Sequence, residues 1–167
     1  KTLVLHSDVI LPATYINDVR FDYRVGKAGV AYITDSSLSG IGGIIVVDLD
    51  SGKAVRRLTG DRSTSPEKGF VPVVEGETLL QRHADGTTAP FSVASDGIAL
   101  SPDGKTLYYC PLSGRHLFAI STELLRDPSI TEAQLSAAVQ DLGEKGASDG
   151  LESDANGAVY AGDYERN

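Results

Sequence analysis

Asp96-Gly97-Ile98-Ala99-Leu100-Ser101 leads through the turn Ser101-Pro102-Asp103-Gly104-Lys105 into Thr106-Leu107-Tyr108-Tyr109-Cys110. Pro at the second turn position and Gly at the fourth suit a tight turn, and the flanking runs are apolar and β-prone, so the segment reads as a hairpin. Asn17-Asp18-Val19-Arg20-Phe21-Asp22 with Val30-Ala31-Tyr32-Ile33-Thr34-Asp35 has the same layout, and so does Asp149-Gly150-Leu151-Glu152-Ser153-Asp154 with Ala158-Val159-Tyr160-Ala161-Gly162-Asp163. Each copy opens on an acid or amide, alternates to an Asp or Ser that starts a turn, and returns as a strand. A hairpin repeated three times sets the architecture.

The first two copies continue. Gly43-Ile44-Ile45-Val46-Val47-Asp48-Leu49 is β-branched and ends at Asp50-Ser51-Gly52, across which Lys53–Leu58 pairs back; His116-Leu117-Phe118-Ala119-Ile120 fills the third-strand slot of copy two. Four antiparallel strands per unit describe propeller blades. The copies start 79 and 53 residues apart, more than the roughly 40–50 residues of a plain blade, so each spacing implies an insertion. The first, 61–94, is polar, with a hairpin expected from Val71–Val74 and Thr78–Gln81 around Glu75-Gly76-Glu77. The second holds a helix over 131–142: Thr131-Glu132-Ala133-Gln134 is a capping box, Leu135, Ala138, Val139 and Leu142 share a face, and Gly143 ends it.

The reading is therefore all-β, a partial propeller of about two and a half blades with one inserted helix. Residues 1–12 end a preceding blade, with Lys1–Leu5 as its last strand. Residues 15–60 form a blade, 61–94 an insertion, 95–147 a blade with the helical insertion, and 148–167 half a blade. With no Met at any position and no leader at Lys1–Pro12, the chain is expected to be part of a longer product, without a signal peptide in this part. Two and a half blades leave open edges at Lys1–Leu5 and Ala158–Asp163. The chain is expected to be ordered only when the rest of its propeller or a second copy covers them.

Composition bounds the function. Among 167 residues, 15 basic and 23 acidic side chains leave a net charge of −8, and no stripe of Lys and Arg marks a nucleic-acid surface. No apolar run approaches the roughly 20 residues of a membrane span. One cysteine excludes an internal disulfide; Cys110 reads as a small core residue. His6, His83 and His116 share no spacing with acids and read as surface or packing residues. Ser36-Ser37 and Ser148 lack the context of a nucleophilic serine. Gly40-Ile41-Gly42-Gly43 has neither the Lys nor the helix of a phosphate loop. Asp48, Asp50 and Asp61 read as turn formers.

Tyr15-Ile16-Asn17-Asp18-Val19-Arg20-Phe21-Asp22 with Ala31-Tyr32-Ile33-Thr34-Asp35-Ser36, Asp96–Ser101 with Leu107-Tyr108-Tyr109 and Pro111-Leu112-Ser113-Gly114, and Ser148-Asp149-Gly150-Leu151 with Gly162-Asp163-Tyr164-Glu165 resemble the major royal jelly / yellow protein family over nearly the whole chain. The resemblance implies a six-bladed propeller of roughly twice this length and a secreted or periplasmic setting. Insect members carry disulfides, so the single Cys110 looks more like the bacterial members. A more distant resemblance is to the gluconolactonase / regucalcin-like propellers. It implies a metal at the channel mouth, held by a Glu from the first blade and by Asn or Asp residues that open innermost strands.

Six residues, counted inclusively, lead from Asn17 to Asp22, from Asp96 to Ser101 and from Asp149 to Asp154, so Asn17, Asp96 and Asp149 are equivalent positions aimed at one axis. Two carboxylates and an amide suit a hard divalent cation such as Ca²⁺, and the lack of His or Cys disfavours zinc. In the lactonase pattern, Asp149 is also the general base towards a water attacking a lactone carbonyl. The expectation is a small-molecule site at the channel mouth, with Asn17, Asp96 and Asp149 as its floor and Asp18, Ser36, Pro111 and Glu165 near its rim. Two other readings stay open: a Ca²⁺-dependent lactonase-like hydrolase on the same residues, and a structural or protein-binding scaffold in which these acids only cap loops.

Overall fold

The computed structural model describes residues 2–166. Strands β1 (Ile16–Asp22), β2 (Val30–Asp35), β3 (Gly43–Asp48) and β4 (Ala54–Arg57) form an antiparallel sheet in chain order. Two small hairpins follow, β5 (Val73–Val74) with β6 (Glu77–Thr78) and β7 (Leu80–Arg82) with β8 (Thr88–Pro90). The second sheet begins with β9 (Ser95–Leu100), β10 (Thr106–Pro111) and β11 (His116–Ser121). Helices α1 (Thr122–Arg126) and α2 (Glu132–Ala138) intervene before its fourth strand, β12 (Gln140–Glu144). The hairpin β13 (Leu151–Ser153) and β14 (Val159–Ala161) ends the chain. The first strands lie side by side, β1 against β9 and β9 against β13. That is the arrangement of successive blades around an axis: two four-stranded blades and a two-stranded third, a partial β-propeller.

The two-residue period of a strand explains how each blade buries both faces. Val30, Tyr32, Ile44 and Val46 of the first blade meet Ile98, Leu107, Tyr109, Phe118 and Ile120 of the second in one core, closed by Leu125 and Leu135 of the helices. The alternate residues face the other way. Ala31, Ile45 and Val47 pack under Leu3, Leu5, Val9 and Ile10, and Ala99 and Cys110 pack on Leu151 and Val159 of the third blade. The β9–β10 turn is closed by Gly104 N–H donating to Ser101 carbonyl at 2.8 Å, with Gly104 at φ +74°. No helix of the described residues is long and apolar enough to cross a membrane.

Four expectations need correction. The strand expected over Thr78–Gln81 is divided between two hairpins, Glu77–Thr78 pairing with Val73–Val74 and Leu80–Arg82 with Thr88–Pro90. The helix over 131–142 stops at Ala138. Its capping box is present, Thr131 Oγ1 accepting from Gln134 N–H and Gln134 Oε1 from Thr131 N–H. Residues 140–144, however, pair with β11, and Leu142 is half exposed. An open strand edge overrode a helical pattern, because the ladder satisfies the backbone while Leu142 has no surface to pack against. A second helix, α1, was not foreseen. At the other end, residues 2–5 form no strand. They run as irregular chain whose Leu3 and Leu5 cover the first blade's outer face, so that edge is not the open strand expected there. Lys1 lies outside the described residues.

Candidate functional site

Both complete blades carry a β-bulge at the same end. In the first, Asn17 and Asp18 oppose the single residue Thr34, between the pairs Ile16↔Asp35 and Val19↔Ile33. In the second, Asp96 and Gly97 oppose Cys110, between Pro111↔Ser95 and Tyr109↔Ile98. A bulge re-aims a side chain while keeping the strand in its sheet. Here two bulges turn repeat-equivalent residues toward each other: Asn17 Nδ2 donates to Asp96 Oδ1 at 2.6 Å and to Ser36 Oγ at 3.1 Å. Ser36 Oγ in turn donates to the Ser95 carbonyl at 2.8 Å, and Thr34 Oγ1 to the Asp96 carbonyl at 2.8 Å. Thr34 is the residue that sequence reading missed; as the partner of the bulge it has no signature of its own.

Gly97 is required by this packing. A Cβ there would lie 2.9 Å from the Asp149 carbonyl oxygen and 3.0 Å from both Cys110 Sγ and Leu151 Cγ. The third copy is thus pressed onto the second bulge. Its own acid differs from the others: Asp149 precedes β13 and is exposed, whereas Asp96 lies within β9 at 5% exposure.

Burial pushes the Asp96 carboxyl up to about 6, with the nearby Asp149 carboxylate the next cause; Ser36 opposes the rise and the Asp18 charge adds to it. Asp18 itself is held by Arg20 Nη1 at 2.9 Å. From the strand that carries both, Arg20 reaches across to the third blade, donating from Nη2 to the Leu151 carbonyl at 2.7 Å. The result is a polar floor of Asn17, Ser36 and Asp96, with the charges of Asp18 and Asp149 beside it and Arg20 tying Asp18 to the third blade.

The remaining predicted residues are engaged elsewhere. Pro111 sits opposite Ser95 and lines a different cavity with His116 and Asp141. Glu165 is gripped by Arg115 through two hydrogen bonds of 2.7 Å and accepts the Val73 N–H at 2.9 Å. That geometry ties the first insertion to the third blade. Among the described residues, no three His, Cys, Asp or Glu side chains converge as a metal cage.

Fold and site together define a partial propeller with a polar cluster where its innermost strands begin. Residues 1–167 match the major royal jelly protein family. The chain belongs to that family. No curated protein matches it. Among solved structures it is similar to a calcium-binding regucalcin from Agrobacterium tumefaciens (TM-score 0.44, 18% identity, 90% of this chain and 39% of that one). It is also similar to a gluconolactonase from Xanthomonas campestris (TM-score 0.48, 14% identity, 92% of this chain and 44% of that one). The chain spans less than half the length of either.

Proposed function

We propose that this chain supplies part of a propeller that binds a small polar molecule at the mouth of its central channel, on Asn17, Ser36 and Asp96 with Asp18 and Asp149 at the border. The rest of the propeller or a second copy completes the ring. The observation that carries the reading is the 2.6 Å contact between Asn17 and Asp96 across two bulged strands. It buries a carboxyl beside two further acids, an arrangement that costs stability and that a ligand would relieve.

A divalent cation fits the donor chemistry, because positive charge would offset the crowding of Asp18, Asp96 and Asp149. As placed, Asn17 directs its Nδ2 at Asp96, so ligation would need its amide turned over. Asp96, Asp149 and the Asn17 oxygen would then be the protein's donors. Asp149 favours a second reading. It is exposed, with its side chain free of hydrogen bonds among the described residues, as a base that takes a proton from water requires. In lactone hydrolysis that water oxygen would bond to the carbonyl carbon, and the ring C–O bond would break to an alcohol and a carboxylate.

Thermal-shift titration of the full-length protein with CaCl2, sugar lactones and aromatic amines tests both readings. Stabilisation that disappears in Asn17→Ala supports binding at this site. No stabilisation by any class overturns it. Lactone turnover that is lost in Asp149→Asn while the thermal shift persists selects the hydrolase.

A further inference from the structure

A second cavity lies apart from the polar floor, in the groove between the first insertion and the outer strands of the second blade. Its volume is about 310 Å³, within the range of small-molecule sites. The β11 alternation that sends Phe118 and Ile120 into the core brings His116 to the same face, where it lines the cavity. Across the ladder, His116 Nδ1 lies 2.8 Å from Asp141 Oδ1 on β12. Asp141 Oδ2 lies 3.4 Å from Arg62, whose guanidinium sits over the Phe118 ring at 5.6 Å. Pro66, Pro111 and Phe118 are the apolar part of the lining; exposed Lys68 also lines it, as does Glu67, whose Oε2 accepts the Arg115 N–H at 2.9 Å.

With Nδ1 committed to Asp141, the His116 ring keeps Nε2 for an incoming group. Asp141 is already served by His116, Arg62 and the Gly143 N–H, so its own charge is matched. Lys68 has no carboxylate partner among the described residues. We propose that this cavity is a binding site for a small planar carboxylate, its apolar body against Phe118 and the prolines and its carboxylate on His116 Nε2–H and Lys68.

Binding depends on pH through His116. The hydrogen bond that His116 Nδ1–H donates to the Asp141 carboxylate is the largest cause that raises its pKa, and the charges of Asp141, Glu67 and Glu144 add to it. The charged and titratable groups facing the ring are Asp141 and Glu144 from β12 and Arg62, Glu67 and Lys68 from the insertion. Only the protonated ring adds positive charge to the site, so affinity falls about tenfold per pH unit above the His116 pKa.

The test follows the His116 ring proton resonances of the full-length protein during titration with sodium benzoate, and with uncharged benzamide as the control, at about pH 6 and about pH 8.5. The expected result is a saturable shift with benzoate at the lower pH, at least about tenfold weaker at the higher, and no shift with benzamide. His116→Gln abolishes the response of the neighbouring Phe118 resonances, and Lys68→Gln weakens it while leaving the His116 resonance in place. No saturable shift with benzoate, an equal response to benzamide, or benzoate shifts confined to the Asn17–Asp96 floor each overturn the proposal.

Discussion

Asp35 and Asp96 are two buried aspartates near the same end of neighbouring blades, and they are treated in opposite ways. Asp35, fully buried at the end of β2, accepts from Arg56 Nη1 at 2.7 Å, Thr14 Oγ1 at 2.7 Å and Tyr15 N–H at 2.8 Å. Its charge is paired and both carboxylate oxygens are occupied. Asp96 has an amide donor and faces two carboxylates, with no cation against it among the described residues. A buried acid matched this fully by a guanidinium is a structural tie between the first blade and the segment leading into it. A buried acid left beside other acids is held there by the surrounding fold, and perturbed acids of this kind cluster at functional sites.

The comparison breaks most visibly at Arg56. Its side chain is 5% exposed, so Arg56→Ala strands the Asp35 charge and should cost about 3–5 kcal/mol. Urea unfolding measures this, and a loss below about 1 kcal/mol would mean that Asp35 is no better served than Asp96. Next in size is Gly97→Ala. The added methyl meets the Asp149 carbonyl and Cys110 at the joint between the second and third blades, for an expected loss of about 2 kcal/mol. The same variant should alter ligand-induced thermal shifts at the Asp96 floor, whereas an unperturbed protein would show that the third blade does not press on the bulge.

The smallest effect has the opposite sign. The Asp96 carboxyl titrates at about 6 in the folded chain and near about 4 when unfolded. Between these values the native state holds a proton that the unfolded state has released. Stability therefore falls as pH rises through that window, and the deficit persists above it. Asp96→Asn removes the charge while keeping an oxygen for Asn17. It should stabilise the protein by about 1–2 kcal/mol at neutral pH and flatten the slope between about pH 4 and 6. Denaturant midpoints across pH 4–8 check it, and a destabilised variant or an unchanged slope would place Asp96 with Asp35 as a structural acid.

Much of this was legible in the residues themselves. The repeat that begins at Asn17, Asp96 and Asp149 revealed the blades, because hairpin turns and two-residue alternation are local properties written in short spans of sequence. Val30–Asp35, Thr106–Cys110 and the Ser101–Gly104 turn needed no distant partner to be recognised. The capping box at Thr131–Gln134 was equally local.

What tertiary structure decided are the outcomes that depend on which surface is available. Leu142 follows the helix period, yet the open edge of β11 captured residues 140–144. That strand brings Asp141 to His116 across 25 positions of chain, a pairing that a helical reading conceals. Leu3 and Leu5 were β-prone but became a cover, because the first blade offered them an apolar face with no ladder to join. Register placed Asn17 and Asp96 at equivalent positions; only the two bulges turned them into contact. Asp149 shares that register and stays exposed before its strand. Glu165, beside Asp163 and Tyr164 in sequence, was drawn to Arg115 by charge. Strand formation needs only neighbours along the chain, while the partner of a charged side chain is set by what packing brings within hydrogen-bond reach.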